Sequence, residues 1–355
     1  MKRLLIALIV VVITAVGAAA AFAVYTLNRI REPYKGFSEA ERFVEIPPGS
    51  GAAEIRRRLV DTGVVADEWA FRAALAWTGQ GRALKAGEYR FDRPMSVADV
   101  IDRIARGEVY VHPITFPEGL TIREMAGVYE SSGLGTAEGF IEAARDPSLV
   151  KDLDADAQDL EGYLFPETYT LPRGTPVSKL IATMVERFRS SYRELEKKRS
   201  GELDLSIREI VTLASLVEKE TGKAEERPIV AAVYRNRIVR NMPMQADPTV
   251  VYALVKAGTY DGNLRKRDLE FDSPYNTYKY PGLPPGPIAS PGRAALEAAF
   301  APANVEYLYF VSRNDGSHVF AETLAEHNAN VYEHQVLYFR NQRAERQRQQ
   351  RNGTR

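Results

Sequence analysis

Glu218 stands in an apolar run that reads as a single helix. Ser206-Ile207-Arg208-Glu209 forms a capping box, with Ser206 capping the first turn and Glu209 reaching back, and Thr221-Gly222 supplies a stop. A helix is therefore expected over roughly 207–221. At about 100° per residue, Ile207, Ile210, Val211, Ala214, Val217 and Thr221 share a face with Glu218, whereas Glu209 and Glu220 point away. A carboxylate in an apolar stripe is costly to ionise, so burial should raise its pKa towards neutrality. A general acid working at neutral pH needs that property. The same placement also suits a structural ion pair with Arg235 or Arg237 on the following helix, and placement alone leaves both readings open.

Further polar groups follow. Gln245, Asp247 and Thr249 alternate ahead of Val250-Val251-Tyr252. Asp247, followed by Pro248, reads as the N-cap of a helix starting at that proline. Its competing role is the second carboxylate that a glycoside hydrolase holds about 5 to 10 Å from its acid. Gln245 and Asn276 offer the amide donors and acceptors that sugars and N-acetyl groups need, and Tyr275, Tyr278 and Tyr280 offer ring faces for stacking. Each is equally at home packing a loop.

Composition removes other chemistries. There is no cysteine, which excludes disulfides, a thiol nucleophile, thiolate metal sites and a lipid-modified N-terminal cysteine. The four histidines, His112, His318, His327 and His334, do not complete a usual zinc ligand set, so neither a metal nor another cofactor is expected. Lys plus Arg and Asp plus Glu both total 47, so no global field calls for nucleic acid or for a basic partner. With 45% hydrophobic and 26% charged residues, the 355-residue chain is expected to fold rather than remain disordered, with room for two or three domains.

The elements that must position these groups point to an α+β protein. Lys2 and Arg3 precede an uncharged stretch from Leu4 to Tyr25, long enough to span a bilayer with the basic end inside. A cleavable secretory signal is the alternative, since Ala21-Phe22-Ala23 resembles a cleavage site. Either reading puts the rest of the chain outside the cytoplasmic membrane. A pattern of strand, turn, helix, turn, helix beginning at Phe43 returns seventy residues later at Ile114, with Pro47-Pro48-Gly49 set against Pro117-Glu118-Gly119 and Gly63 against Gly133. A further echo sets Gly87–Phe91 and its helix against Gly162–Phe165 and a helix from Val177 to Met184. Such βαα units resemble LysM modules, which bind N-acetylated sugars; the alternative is a plain spacer. The expected plan is a cytoplasmic end at 1–3, an anchor at 4–25, a LysM-like module at 40–110, a second module and connection at 111–200, a helix-rich catalytic domain at 201–339 and a disordered basic tail at 340–355. A hairpin around Asn314-Asp315-Gly316 and a final helix capped by Thr323 and Glu326 close the catalytic domain.

Five segments, in order, give the chain a family likeness: Ala214–Thr221, Val233-Tyr234-Arg235-Asn236-Arg237, Met244–Val250, Tyr275-Asn276-Thr277-Tyr278 and Gly282–Ile288. Together with Leu160–Tyr169 and the anchor, they resemble the MltG (YceG-like) endolytic murein transglycosylases over nearly the whole chain after the anchor. The resemblance implies that Glu218 is the catalytic residue and that the reaction cuts the β-1,4 bond between N-acetylmuramic acid and N-acetylglucosamine without adding water, leaving a 1,6-anhydro end. It further implies that Gln245, Asp247, Asn276 and Tyr278 contact peptidoglycan, and that growing strands are cut internally beside the cell-wall synthases. A two-carboxylate hydrolase using Glu218 and Asp247, and a non-catalytic anchored adaptor, are the competing expectations.

Overall fold

The computed structural model describes residues 2–199 and 204–352, so the ends of the expected domain and tail at 201–203 and 353–355 lie outside the described residues. The chain divides into two compact units, Met1–Pro113 with Thr170–Gly174, and Ile114–Tyr169 with Thr175–Arg355.

The first unit opens with helix α1 (Lys2–Arg31), which over Leu5–Arg31 is long and apolar enough to cross a membrane. It continues past Tyr25, where the anchor was expected to end, and its last turn belongs to the folded unit. Ile30 is buried there, and Arg29 meets Asp67 at 2.8 Å. Next come β1 (Arg42–Ile46), α2 (Ala52–Asp61), α3 (Glu68–Thr78), β2 (Gly87–Phe91) and α4 (Val97–Arg106). Strands β1 and β2 pair antiparallel, with Val44 opposite Tyr89. Alternation along the strands and the helical period along α2 and α4 drive Val44, Ile46, Ile55, Leu59, Ile101 and Ile104 into one core. Tyr89 is also buried there, its hydroxyl donating to the carbonyls of Lys85 and Ile104.

The same element order recurs as β3 (Val111–Thr115), α5 (Ile122–Ser131), α6 (Ala137–Ala144), β4 (Thr168–Pro172) and α7 (Val177–Glu196), with β3 paired to β4. Gly49 and Gly119 both turn the chain at positive φ, as do Gly63 and Gly133, and each pair is seventy residues apart (119 − 49 and 133 − 63). The repeated turns are thus the same turns, at a conformation that favours glycine. The echo of β2 is displaced from its expected place. Gly162–Phe165 is a buried turn with the Tyr163 hydroxyl on Asp154 at 2.6 Å, and the strand forms at Thr168–Pro172 instead.

Helix α8 (Ile207–Glu220) begins with the expected capping box: Ser206 Oγ accepts from the Glu209 N–H, and Glu209 Oε2 accepts from the Ser206 N–H at 2.8 Å. Ser206→Ala should lower stability by about 1 kcal/mol, the usual worth of an N-cap, measured by denaturant unfolding. Rather than one apolar stripe, α8 buries every residue from Ile210 to Val217. It packs against α9 (Arg227–Val239), α10 (Asp247–Lys256) and α11 (Arg293–Phe300), and a helix apolar on all sides has to be enclosed. The Pro-rich loop ahead of α11 is fastened to it, because the Ile288 N–H donates to Ser215 Oγ at 3.1 Å.

Strands β5 (Tyr309–Ser312) and β6 (His318–Ala321) form the expected hairpin, with Asn314 and Gly316 at positive φ in the turn. Thr323 and Glu326 cap α12 (Leu324–Val331), as expected. The basic stretch from residue 340 departs from the expected disorder. A π-helical segment, Tyr332–Leu337, leads into α13 (Tyr338–Asn352), where Arg, Gln, Glu and Ala are good helix formers and no Gly or Pro interrupts them.

Candidate active site

Glu218 sits at the last turn of α8 with its side chain only 7% exposed. Three segments of the second unit meet around it. The loop before α5 carries Glu118 and Gly119; it is tied to α8 by the Lys219 ammonium on the Gly119 carbonyl (3.1 Å) and to the 290 segment by reciprocal backbone bonds, Gly119 N–H to Ser290 O and Ser290 N–H to Leu120 O. Gly292, the N-cap of α11, donates its N–H to Glu218 Oε2 at 2.9 Å. From the first turn of α9, the Arg227 guanidinium lies 3.5 Å from Glu218 Oε1, with its Nε buried and unpartnered. The expected structural partners of Glu218 are therefore displaced. Arg237 instead donates to the carbonyls of Leu308, Pro243 and Met244, and Arg235 reaches Asn236.

Burial is the main cause holding the Glu218 carboxyl above the ordinary glutamate range. The Gly292 N–H opposes the rise, the charge of Glu118 adds to it, and Arg227 opposes it. Burial thus favours the protonated form of this carboxyl, which still finds a backbone N–H and a guanidinium when it ionises. It is equipped to give up a proton and to take one back.

Glu118 was not singled out from the sequence. It is exposed, and a Cβ built on Gly292 would fall 1.9 Å from its Oε1, so it lies directly over the peptide that binds Glu218. The signal was present in the repeat, since Glu118 occupies the turn position held by Pro48 in the first copy. Arg227 and Gly292 carried no comparable signal, because only the folded chain brings them to Glu218.

The remaining expected residues form a second cluster. Asp247 is not a cap: α10 begins at Asp247 itself, no side-chain cap bond forms, and Asp247 Oδ1 accepts from the Tyr278 hydroxyl at 2.6 Å. Gln245 holds a positive φ of 49° beside it, its N–H on the Thr277 carbonyl and its side chain exposed. Asn276 is fully buried, with Nδ2 on the Leu269 and Phe271 carbonyls and Oδ1 accepting from the Tyr278 N–H. Both its amide hydrogens go to backbone and the side chain is fully enclosed, so it shapes the loop rather than meeting a sugar. Among the described residues no hydrogen bond or ion pair joins Asp247 to Glu218. Glu220, expected to point away from Glu218, accepts from the Tyr234 hydroxyl at 2.8 Å, and burial pushes its pKa up to about 7, with the Asp247 charge adding.

The YceG-like family model matches residues 44–333 of this chain. The chain belongs to the YceG-like family. An endolytic murein transglycosylase of Bacillus subtilis is 33% identical over 313 residues, covering 84% of this chain and 86% of the relative. One of Streptococcus pneumoniae is 33% identical over 326 residues, covering 82% of this chain and 58% of the relative, so this chain spans little more than half the pneumococcal protein. A crystal structure of a YceG-like protein from Listeria monocytogenes, 32% identical, superposes with a TM-score of 0.55 and covers 82% of this chain and 99% of that one. The family match takes in α8 and all the segments that converge on Glu218.

Proposed function

We propose that the chain is an endolytic peptidoglycan lytic transglycosylase with Glu218 as its acid and base. The observation that carries this reading is the Glu218 carboxyl itself, buried at a helix end with one N–H donor and one guanidinium around it. Protonated Glu218 donates to the oxygen linking N-acetylmuramic acid to N-acetylglucosamine, and the muramyl C1–O bond breaks. The carboxylate left behind is stabilised by Gly292 and Arg227. It then takes the proton of the muramyl C6 hydroxyl as that oxygen bonds to C1, closing the 1,6-anhydro ring without water and restoring Glu218 for the next turnover. The names of the bacterial relatives support this substrate and reaction.

Glu118 favours one rival reading. A hydrolase needs a second carboxylate near the first, and Glu118, not Asp247, is the acidic residue placed to act with Glu218. In the lyase its role is to help keep Glu218 protonated. Activity should then fall as pH rises through the pKa of Glu218, and Glu118→Gln should move that limb to lower pH while retaining turnover at the acid plateau. A pH–rate profile of kcat/KM checks this, and an unmoved limb would remove Glu118 from the account.

The α1 helix anchors the chain in the cytoplasmic membrane, and the basic Lys2 and Arg3 favour an outward-facing remainder. The two β-α-α-β segments serve as LysM-like modules that hold N-acetylated sugars, a reading supported by their element order. Tyr278, Asp247 and the exposed Gln245 line the path of the strand beyond Glu218, and an enzyme that ends growing strands acts beside the synthases that extend them. Digestion of purified sacculi by the detergent-solubilised full chain tests the endolytic part: long strands should shorten by internal cuts from the first minutes, whereas release of disaccharides from strand ends alone would contradict it.

A further inference from the structure

The loop that brings Glu118 to Glu218 runs directly into α5, and the start of α5 borders a cavity of about 220 Å³. Besides Thr121, its polar lining is Arg123, Arg145, Asp159, Glu161, Tyr252 and Lys256. Glu161 is its innermost group, 8% exposed, with Oε1 accepting from the Ile122 N–H at 3.1 Å and Oε2 facing the Tyr252 hydroxyl at 3.4 Å. A smaller hollow beside it shares Asp159, Glu161 and Lys256 and reaches Tyr275. These residues take no part in the chemistry assigned to Glu218.

The charges of the lining do not balance. Arg145 pairs with Glu142 at 2.9 Å, but among the described residues neither Arg123 nor Lys256 makes a salt bridge. The Lys256 ammonium instead lies over the rings of Tyr252 and Tyr275, at 5.7 and 5.1 Å. Against these cations stand Asp159, whose Oδ1 accepts from the Glu161 N–H, and Glu161, which burial and the neighbouring Asp159 charge keep protonated at neutral pH, with a pKa of about 8. The cavity is therefore cationic, with a carboxylic acid at its base that can donate a hydrogen bond. A carboxylate matches that set: ammonium and guanidinium for its charge, the acid O–H for a lone pair. At about 30 Å³ per water, the space equals roughly seven waters, which suits one amino-acid residue.

We propose that this cavity receives a free carboxylate of the stem peptide carried by a muramyl residue at or next to the cut, an inference that rests on the peptidoglycan reading of Glu218. Ile122 lies four positions after Glu118, and an extended chain of about 3.6 Å per residue keeps their Cα atoms within about 14 Å. Three or four extended units of a stem peptide, at about 3.6 Å each, cover a distance of that order. Lys256 supplies the charge that recognises it, and the ring faces of Tyr252 and Tyr275 hold Lys256 in place.

Binding decides the matter without cleavage. The probe is N-acetylmuramyl-L-alanyl-D-glutamate, compared with its bis-amide by titration calorimetry on the wild-type full chain in detergent. The acid should bind at least ten-fold more tightly than the bis-amide. Lys256→Met should remove most of that preference, and Lys256→Arg, which keeps the charge, should retain it. Equal binding of acid and bis-amide, an unchanged preference in Lys256→Met, or inorganic phosphate binding as tightly as the muramyl peptide would each overturn the proposal. If the wild-type chain cuts no glycan, the function of Glu218 is refuted while this titration still decides whether the cavity holds a carboxylate.

Discussion

Glu218→Gln should reduce strand cleavage by about 10³-fold, within the range general acid–base catalysis contributes, while leaving the fold intact. The amide is nearly isosteric and its carbonyl oxygen can still accept the Gly292 N–H, but it has no proton to transfer and cannot become the base. The ion pair with Arg227 is lost as well, yet Arg227 at 3.5 Å is a loose partner and already leaves its Nε unpaired, so unfolding should shift little. Cleavage assayed beside thermal unfolding separates the two effects. A variant with wild-type turnover would remove Glu218 from the chemistry, and one that fails to fold would make it a structural residue.

Glu161→Gln should reshape the dependence of stability on pH. Unfolded, Glu161 loses its proton near the ordinary value of 4.5; folded, burial holds the proton up to about 8. Between those values the unfolded chain carries fewer protons than the native one, so stability is fully present below about pH 4.5 and declines as pH rises towards 8. A shift of that size corresponds to roughly 3 to 5 kcal/mol across the window. The glutamine variant, permanently neutral, should lose this slope and be the more stable protein at pH 8, provided its amide keeps the Ile122 bond. A shallower decline ending near pH 7 should remain, because Glu220 behaves in the same way between 4.5 and about 7. Urea unfolding at pH 5, 6.5 and 8 measures both slopes, and parallel curves for wild type and variant would show that Glu161 is ionised in the native protein.

What was legible in the sequence was local. The capping box and the apolar run gave the limits of α8 to within a residue, because both are set by contacts three or four residues apart. The duplication was legible because turns with a left-handed glycine recur at fixed spacing. The misreadings share one cause, the direction a polar side chain takes once distant segments close around it. Asp247-Pro248 matches a helix start, but Tyr278, thirty-one residues on, captures the carboxylate. Asn276 has amide groups a sugar could use, but the Leu269 and Phe271 carbonyls consume them. Glu220 does lie opposite Glu218, as the helical period has it, but its partner, the Tyr234 hydroxyl of α9, was not legible. Glu118 reaches Glu218 across a hundred residues of chain; the repeat marks its turn but not that the turn closes over α8.

The asymmetry between Glu218 and Glu118 follows from their surroundings. Glu218 is sheltered, held by an N–H, and near a guanidinium; Glu118 is exposed to water on a turn. A sheltered acid beside a second carboxylate is an arrangement that raises the acid's pKa and favours its protonated form. It serves a lyase and a hydrolase alike up to the moment the glycosidic bond breaks, and the two part only in which oxygen then bonds to C1.

The most direct measurement is therefore the mass of the new muramyl ends after the full chain has digested purified glycan strands in water enriched in ¹⁸O. Closure by the C6 oxygen predicts anhydro-muramyl ends lighter by one water than reducing ends and free of the label. Reducing ends carrying ¹⁸O at C1, lost on Glu118→Gln, would contradict the lyase and make the pair a two-carboxylate hydrolase.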